Sequence, residues 1–210
     1  MSSRIEALFE RAKIFYENGD PSHDVLHIRR VMQNCCWLAK NENVNLEILL
    51  AAAILHDIVN LPKNHPERLQ ASQLAASRST QFLEELKFAK EEISKISGVI
   101  VEHSFSLGKK PSSIESKILQ DAVKLDALGS IGIMRTVSCG SQMGTNYYSE
   151  DQAFAVTREL NDKAFTIDHF FTKLLKLPDL MNTKLAKEEA TRRAKFMTEF
   201  LSELKRELAP

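Results

Sequence analysis

An imidazole and a carboxylate stand side by side at His56-Asp57, directly after the run LEILLAAAIL. No polar residue lies between Glu47 and His56, so a helix over this run is surrounded by protein on all sides. Polar groups leaving so buried an element are costly unless partnered, and a divalent cation satisfies both at once. Upstream, in SHDVLHIRRV (22–31), His23 and His27 lie four residues apart on one helix face, where one or both can point inward. Two histidines plus carboxylates with open positions form the pattern of a catalytic metal site rather than a closed structural one. The competing reading is a solvated helix start carrying two surface histidines.

The elements that must position these residues are helical. Apolar residues recur at three- and four-residue spacing nearly throughout, and no strict alternation lasts long enough for a strand, so the spacing predicts an all-α protein. Ser3 with Glu6 reads as a capping box for a first helix that ends at ENGDP (17–21). A second helix is expected from about Ser22 to Lys40, and Asn45 is placed to cap the apolar third, which reads as the central helix. Helical periodicity continues over Glu67 to about Leu86 and Ala89 to His103. Ser112 or Ser113 then caps a helix that Gly129 and Gly132 interrupt or bend. The tail from Thr157 reads as helices broken at Leu177-Pro178 and closed by an amphipathic helix from about Lys184 to Leu208.

A chain of 210 residues with 43% apolar and 27% charged residues suits one packed domain, with a core at about 20–130 and further helices over 150–208 packed on it. Lys plus Arg equals Asp plus Glu at 28 each, so no bulk positive field draws the chain to a nucleic-acid polymer or an anionic membrane. The longest apolar run is far short of the ~20 residues that span a bilayer, and the N-terminus lacks a secretory pattern. A cytoplasmic location is expected. Cys35, Cys36 and Cys139 have no ligand spacing and read as reduced, buried core residues.

Taken together, His27-Ile28-Arg29-Arg30-Val31, the His56-Asp57 pair and a later aspartate resemble the HD-domain metal-dependent phosphohydrolase superfamily. HDIVNLPKNHPERLQAS, EHSFSLGKKPSSIESKILQDA, LDALGSIGIMRT and DHFFTKLLKLPDLMNT extend the likeness over roughly residues 20–200, toward a small bacterial subgroup that includes nucleotide pyrophosphohydrolases. The resemblance implies an all-helical fold in which His27, His56, Asp57 and a distal aspartate hold one divalent ion (Mn, Mg, Ni, Co or Fe). Such an ion polarises a phosphoryl oxygen and acidifies water for hydrolysis. Lys63 and Arg30 would then bind substrate phosphates, while His23 and His103 would carry protons or donate to phosphate. Asn60 and Ser72 lie in matched segments as substrate-side candidates. Each has a plainer reading: Lys63 as a solvated loop lysine, Arg30 as the partner of a neighbouring carboxylate, His103 as a helix C-terminal residue favoured by the dipole.

One position departs from the pattern. Where the family reads QDADRLDALG, this chain reads Gln120-Asp121-Ala122-Val123-Lys124-Leu125-Asp126-Ala127-Leu128-Gly129, so a valine stands where the fourth ligand is expected. At about 100° per residue, Asp126 lies about 60° from the Val123 direction and Asp121 about 160°, which makes Asp126 the nearer substitute and leaves Asp121 as an alternative. Two functions stay open: a phosphohydrolase acting on a nucleotide or other small phosphoester, or a relative that binds such a ligand without turnover. A di-iron oxygenase would need further inward histidines that the spacing does not provide. Apolar residues in the C-terminal helices suit a homodimer.

Overall fold

The computed structural model describes residues 2–17, 22–59, 61, 65–104 and 108–208, and among them it is all-α. Ten α-helices joined by turns and short 3-10 segments contain no strand, only an isolated bridge between Asn146 and Phe165. Backbone contacts divide the chain into two compact units, residues 1–123 and 124–210.

The first unit is built around α4 (Leu46–Leu55), which packs against α1 (Ser3–Ala12), α3 (Val25–Leu38), α5 (Ala71–Glu85) and α6 (Lys90–Glu102). Every residue from Ile48 to Leu55 is buried, as an uninterrupted apolar run requires. Each fully buried Leu or Ile there contributes roughly 1.5–3 kcal/mol. Asn45 caps α4 as expected, its Oδ1 accepting the Glu47 and Ile48 amides at 3.1 and 3.2 Å. Other boundaries shift by a residue or a turn. Ser2, not Ser3, caps α1. Lys13 separates α1 from a single turn, α2 (Ile14–Glu17). Asp24 caps α3 by accepting the His27 amide at 2.8 Å, which fixes the turn that carries His27. Ser113 caps α7 (Ile114–Asp126) through the Ser116 amide, and the boundary between the units falls within this helix.

In the second unit, α8 (Gly129–Gln142) begins two residues after α7 ends. Gly129 has φ +71°, and a Cβ on Gly132 would lie 2.3 Å from Ala127 O, so both glycines permit the sharp reversal. The expected helices from Thr157 do not form at once. Residues 157–167 are irregular, anchored by Arg158 on the fully buried Asp168, before α9 (Asp168–Thr172). Pro178 does not break the tail; it sits within a 3-10 stretch over Leu174–Leu180. The last helix, α10 (Lys184–Leu208), has the expected ends. All three cysteines are free, but only Cys35 is buried, and Cys36 is exposed on α3. Among the described residues no helix is long and apolar enough to cross a membrane.

Candidate metal centre

Two helices end in the same way at one place in the first unit. His56 is the C-terminal cap of α4, and its Nδ1–H donates to Ala53 O at 2.8 Å. His103 caps α6, and its Nδ1–H donates to Ile100 O at 2.6 Å. A carbonyl oxygen only accepts, so Nδ1 carries the proton in both rings and Nε2 is the atom left for other work. Both Nε2 atoms face Asp57: His56 Nε2 is 3.3 Å from Oδ2 and His103 Nε2 is 3.5 Å from Oδ1. His27, fully buried on α3, brings its Nε2 to 3.9 Å from Asp57 Oδ2. That distance is too long for a hydrogen bond and suits two groups that share a third between them.

Nitrogen lone pairs facing a carboxylate repel it unless something positive intervenes, either a proton on each ring or a cation between the groups. Ligand atoms of His27, His56 and Asp57 lie within 4.8 Å of one another. The donor set, two imidazoles and one carboxylate, suits a borderline divalent ion, and the Ala53 carbonyl that anchors His56 supplies the outer support such a ligand needs. Burial opposes charge on Asp57, but protons on the Nε2 atoms of His56 and His103 would supply the missing positive charge, and with them the carboxyl is held well below the usual carboxylate range. The negative end of the α4 dipole adds to this preference for a cation. The residues present therefore fit the divalent metal that the sequence resemblance implies.

The remaining expected residues are spread more widely. The His23 ring lies 5.7 Å from that of His27, and its Nδ1 shares a 2.8 Å hydrogen bond with Ser22. Arg30 is half-buried on α3. Ser72, near the start of α5, is 3% exposed, and its hydroxyl has no hydrogen-bond partner among the described residues. Asp121 is fully buried on α7 in the same unit, and Val123 beyond it is half-buried. In the second unit the buried Asp126 accepts a 3.0 Å bond from Arg135. His169, which reads as structural, shares a 3.0 Å bond with Asp162 through Nδ1. Lys63 and Asn60 lie outside the described residues.

Sequence reasoning passed over Tyr16 of α2, whose hydroxyl donates to Ile54 O at 2.6 Å, at the end of α4. Its place in the apolar series Phe9, Ala12, Tyr16 signals a buried hydroxyl that must find a partner. Nothing local names an acceptor 38 residues away.

Residues 25–128 match the family model for the HD domain. The chain is 32% identical over 194 residues to the uncharacterized protein YpgQ of Bacillus subtilis (strain 168), covering 89% of this chain and 84% of that protein. It also superposes on the crystal structure of Bacillus subtilis YpgQ in complex with ADP, with TM-score 0.76, 30% identity and coverage of 97% of this chain and 94% of the other. A crystal structure of an HD-superfamily hydrolase from Bacillus thuringiensis aligns with TM-score 0.74, 34% identity and coverage of 98% and 96%. With an imidazole from each of α3 and α4 meeting an aspartate beside the second, and relatives matching along almost its whole length, the chain belongs to the HD-domain phosphohydrolase superfamily.

Proposed function

We propose that this HD-superfamily chain is a metal-dependent phosphohydrolase acting on a nucleotide-type phosphoester or phosphoanhydride. The observation that carries this reading is the convergence of His27 Nε2, His56 Nε2 and the Asp57 carboxylate within 4.8 Å, with His56 already held as the tautomer that leaves Nε2 for a ligand. A divalent ion held by these three residues supplies charge against a phosphoryl oxygen and makes water a stronger acid. Asp57 keeps its negative charge at any ordinary pH and so contributes a full carboxylate ligand.

His103 has its outer nitrogen anchored and its inner one turned to Asp57, which suits it to hold a proton beside the substrate. Ser72 offers a buried hydroxyl to a phosphate oxygen. His23, Arg30, Lys63 and Asn60 keep the substrate-side and proton-carrying roles expected from the sequence. For the fourth ligand we take Asp121 ahead of Asp126, because Asp121 lies in the same unit as the three ligands. Nucleotide as the substrate class is supported by the relative YpgQ, crystallised with ADP. One functional HD-type domain over 1–210, cytoplasmic residence and a homodimer belong to the same proposal, the last supported by exposed apolar side chains such as Val156 and Phe196.

Val123 favours a second reading, a protein that binds the nucleotide without turning it over, since valine has no lone pair to replace the family's aspartate. Metal-stripped protein reloaded with Mn²⁺ and offered the common nucleoside di- and triphosphates separates the two. The proposal expects metal-dependent release of phosphate or pyrophosphate. Nucleotide and Mn²⁺ binding with no product establishes the second reading instead, and failure to bind Mn²⁺ at all removes both.

A further inference from the structure

The end of α4 is held by a residue from a distant part of the chain. The last four carbonyls of any α-helix have no partner within it. Here three of them go to three unlike donors: Ala53 O to the His56 imidazole, Ile54 O to the Tyr16 hydroxyl, and Leu55 O to the Ile58 amide. Had the helix run on, Ala53 O would take the Asp57 amide and Ile54 O the Ile58 amide. With both acceptors occupied, α4 stops after Leu55, and Ile58 turns back to a carbonyl three residues away rather than four.

We infer that Tyr16 is a positioning residue for the candidate metal centre: by occupying Ile54 O it terminates α4 and sets the direction in which Asp57 leaves the helix. Tyr16 is 3% exposed, and the break at Lys13 delivers it, since α2 is a separate turn opened by the Tyr16 amide bonding to Lys13 O at 2.9 Å. The hydroxyl is the donor, since Ile54 O is a carbonyl oxygen and only accepts. Any buried hydroxyl needs a partner, and the one that Tyr16 takes is the carbonyl whose release would let the helix run on through Asp57.

Tyr16→Phe removes the oxygen and keeps the ring. The effect on metal holding rests on the proposed site, whereas the effect on the backbone does not, so two measurements are made. In metal-free protein, hydrogen exchange at the Asp57 and Ile58 amides is expected to change at least fivefold in Tyr16→Phe, with the Leu49 to Ala52 amides unchanged. In Mn²⁺ titrations the dissociation constant is expected to rise about tenfold, the lower end for loss of an outer support of a metal ligand. On any nucleotide that the wild type hydrolyses, kcat falls and KM holds. Tyr147→Phe, on an exposed side chain of the second unit, should leave both readouts unmoved. Unchanged exchange at Asp57 and Ile58 overturns the inference, as does a lowered melting temperature with Mn²⁺ affinity intact. If the wild type itself binds no Mn²⁺, the metal reading fails and the exchange result alone decides whether Tyr16 directs Asp57.

Discussion

Asp57 and Asp168 are both aspartates withdrawn from solvent, and they are treated in opposite ways. In the second unit, Asp168 is fully buried and closed by a permanent cation. Arg158 meets it through both carboxylate oxygens at 2.5 and 2.9 Å, and the Asn161 amide adds a third bond at 2.6 Å. In the first unit, Asp57 keeps 21% of its side chain exposed, and among the described residues its ion-pair partners are three imidazoles. Guanidinium cannot leave or lose its charge, so Asp168 is finished as a structural anchor for the 157–167 segment. Two of these imidazoles, His56 and His103, have one nitrogen tied to a backbone carbonyl and can supply lone pairs instead of fixed charge, so Asp57 sits where a divalent ion could be held. The difference is that a carboxylate facing histidines can take an exchangeable partner, whereas one closed by arginine cannot.

The sharpest way to break this contrast is to neutralise each aspartate in turn. Asp57→Asn should abolish Mn²⁺ binding and lower any hydrolysis by at least about a thousandfold, with a small change in melting temperature, because a charge needing compensation has been removed. His56→Ala should act likewise in Mn²⁺ titrations. Asp168→Asn should do the reverse: Mn²⁺ affinity holds, while denaturant unfolding shows a clear loss of stability because Arg158 loses its carboxylate partner. Equal effects of Asp57→Asn and Asp168→Asn on stability, with neither touching metal affinity, would mean that both are ordinary buried pairs.

A smaller effect probes the ligand that the chain lacks. Val123→Asp should tighten Mn²⁺ binding about tenfold, as restoration of a carboxylate to an incomplete ligand set predicts. Asp121→Asn should weaken it, whereas Asp126→Asn should chiefly cost stability by stranding Arg135. A metal affinity that answers to Asp126 and not to Asp121 would reverse the assignment.

The smallest expected effect belongs to the exposed end of the same scale. On α10, Arg192 and, after the opposing cost of burial, Arg193 hold the Glu189 carboxyl down to about 2. A depressed pKa means stability present above the ordinary value of 4.5 and lost as pH falls toward about 2. Glu189→Gln should therefore cost under about 1 kcal/mol at pH 7, given the exposed Arg192, and nothing at pH 2. Urea midpoints at the two pH values measure it. A cost that persists at pH 2 contradicts the ion-pair account.

Most of the fold was legible from apolar spacing and caps, because α4 has no polar face and Asn45 stands just before it. The 157–167 segment was not, since its apolar residues keep helical spacing while a pairing between Arg158 and Asp168 pulls the backbone into an irregular course. At the site, His56-Asp57 and His27 stood out by residue type and by position after a buried run. What the sequence concealed was long-range. The Tyr16 bond to Ile54 spans 38 residues, and the Arg135 bond to Asp126 joins α8 to α7 across a turn. Helix geometry ranks directions along one element, but it does not reveal which side chains of other elements meet it.

The most direct test of the metal centre is anomalous scattering from crystals of the wild-type protein soaked in Mn²⁺. The account predicts a peak bonded to His27 Nε2, His56 Nε2 and the Asp57 carboxylate, absent from Asp57→Asn crystals treated alike. A strong peak elsewhere with none at these three residues, or an Asp57 carboxylate bonded directly to His56 and His103 at saturating Mn²⁺, would contradict it.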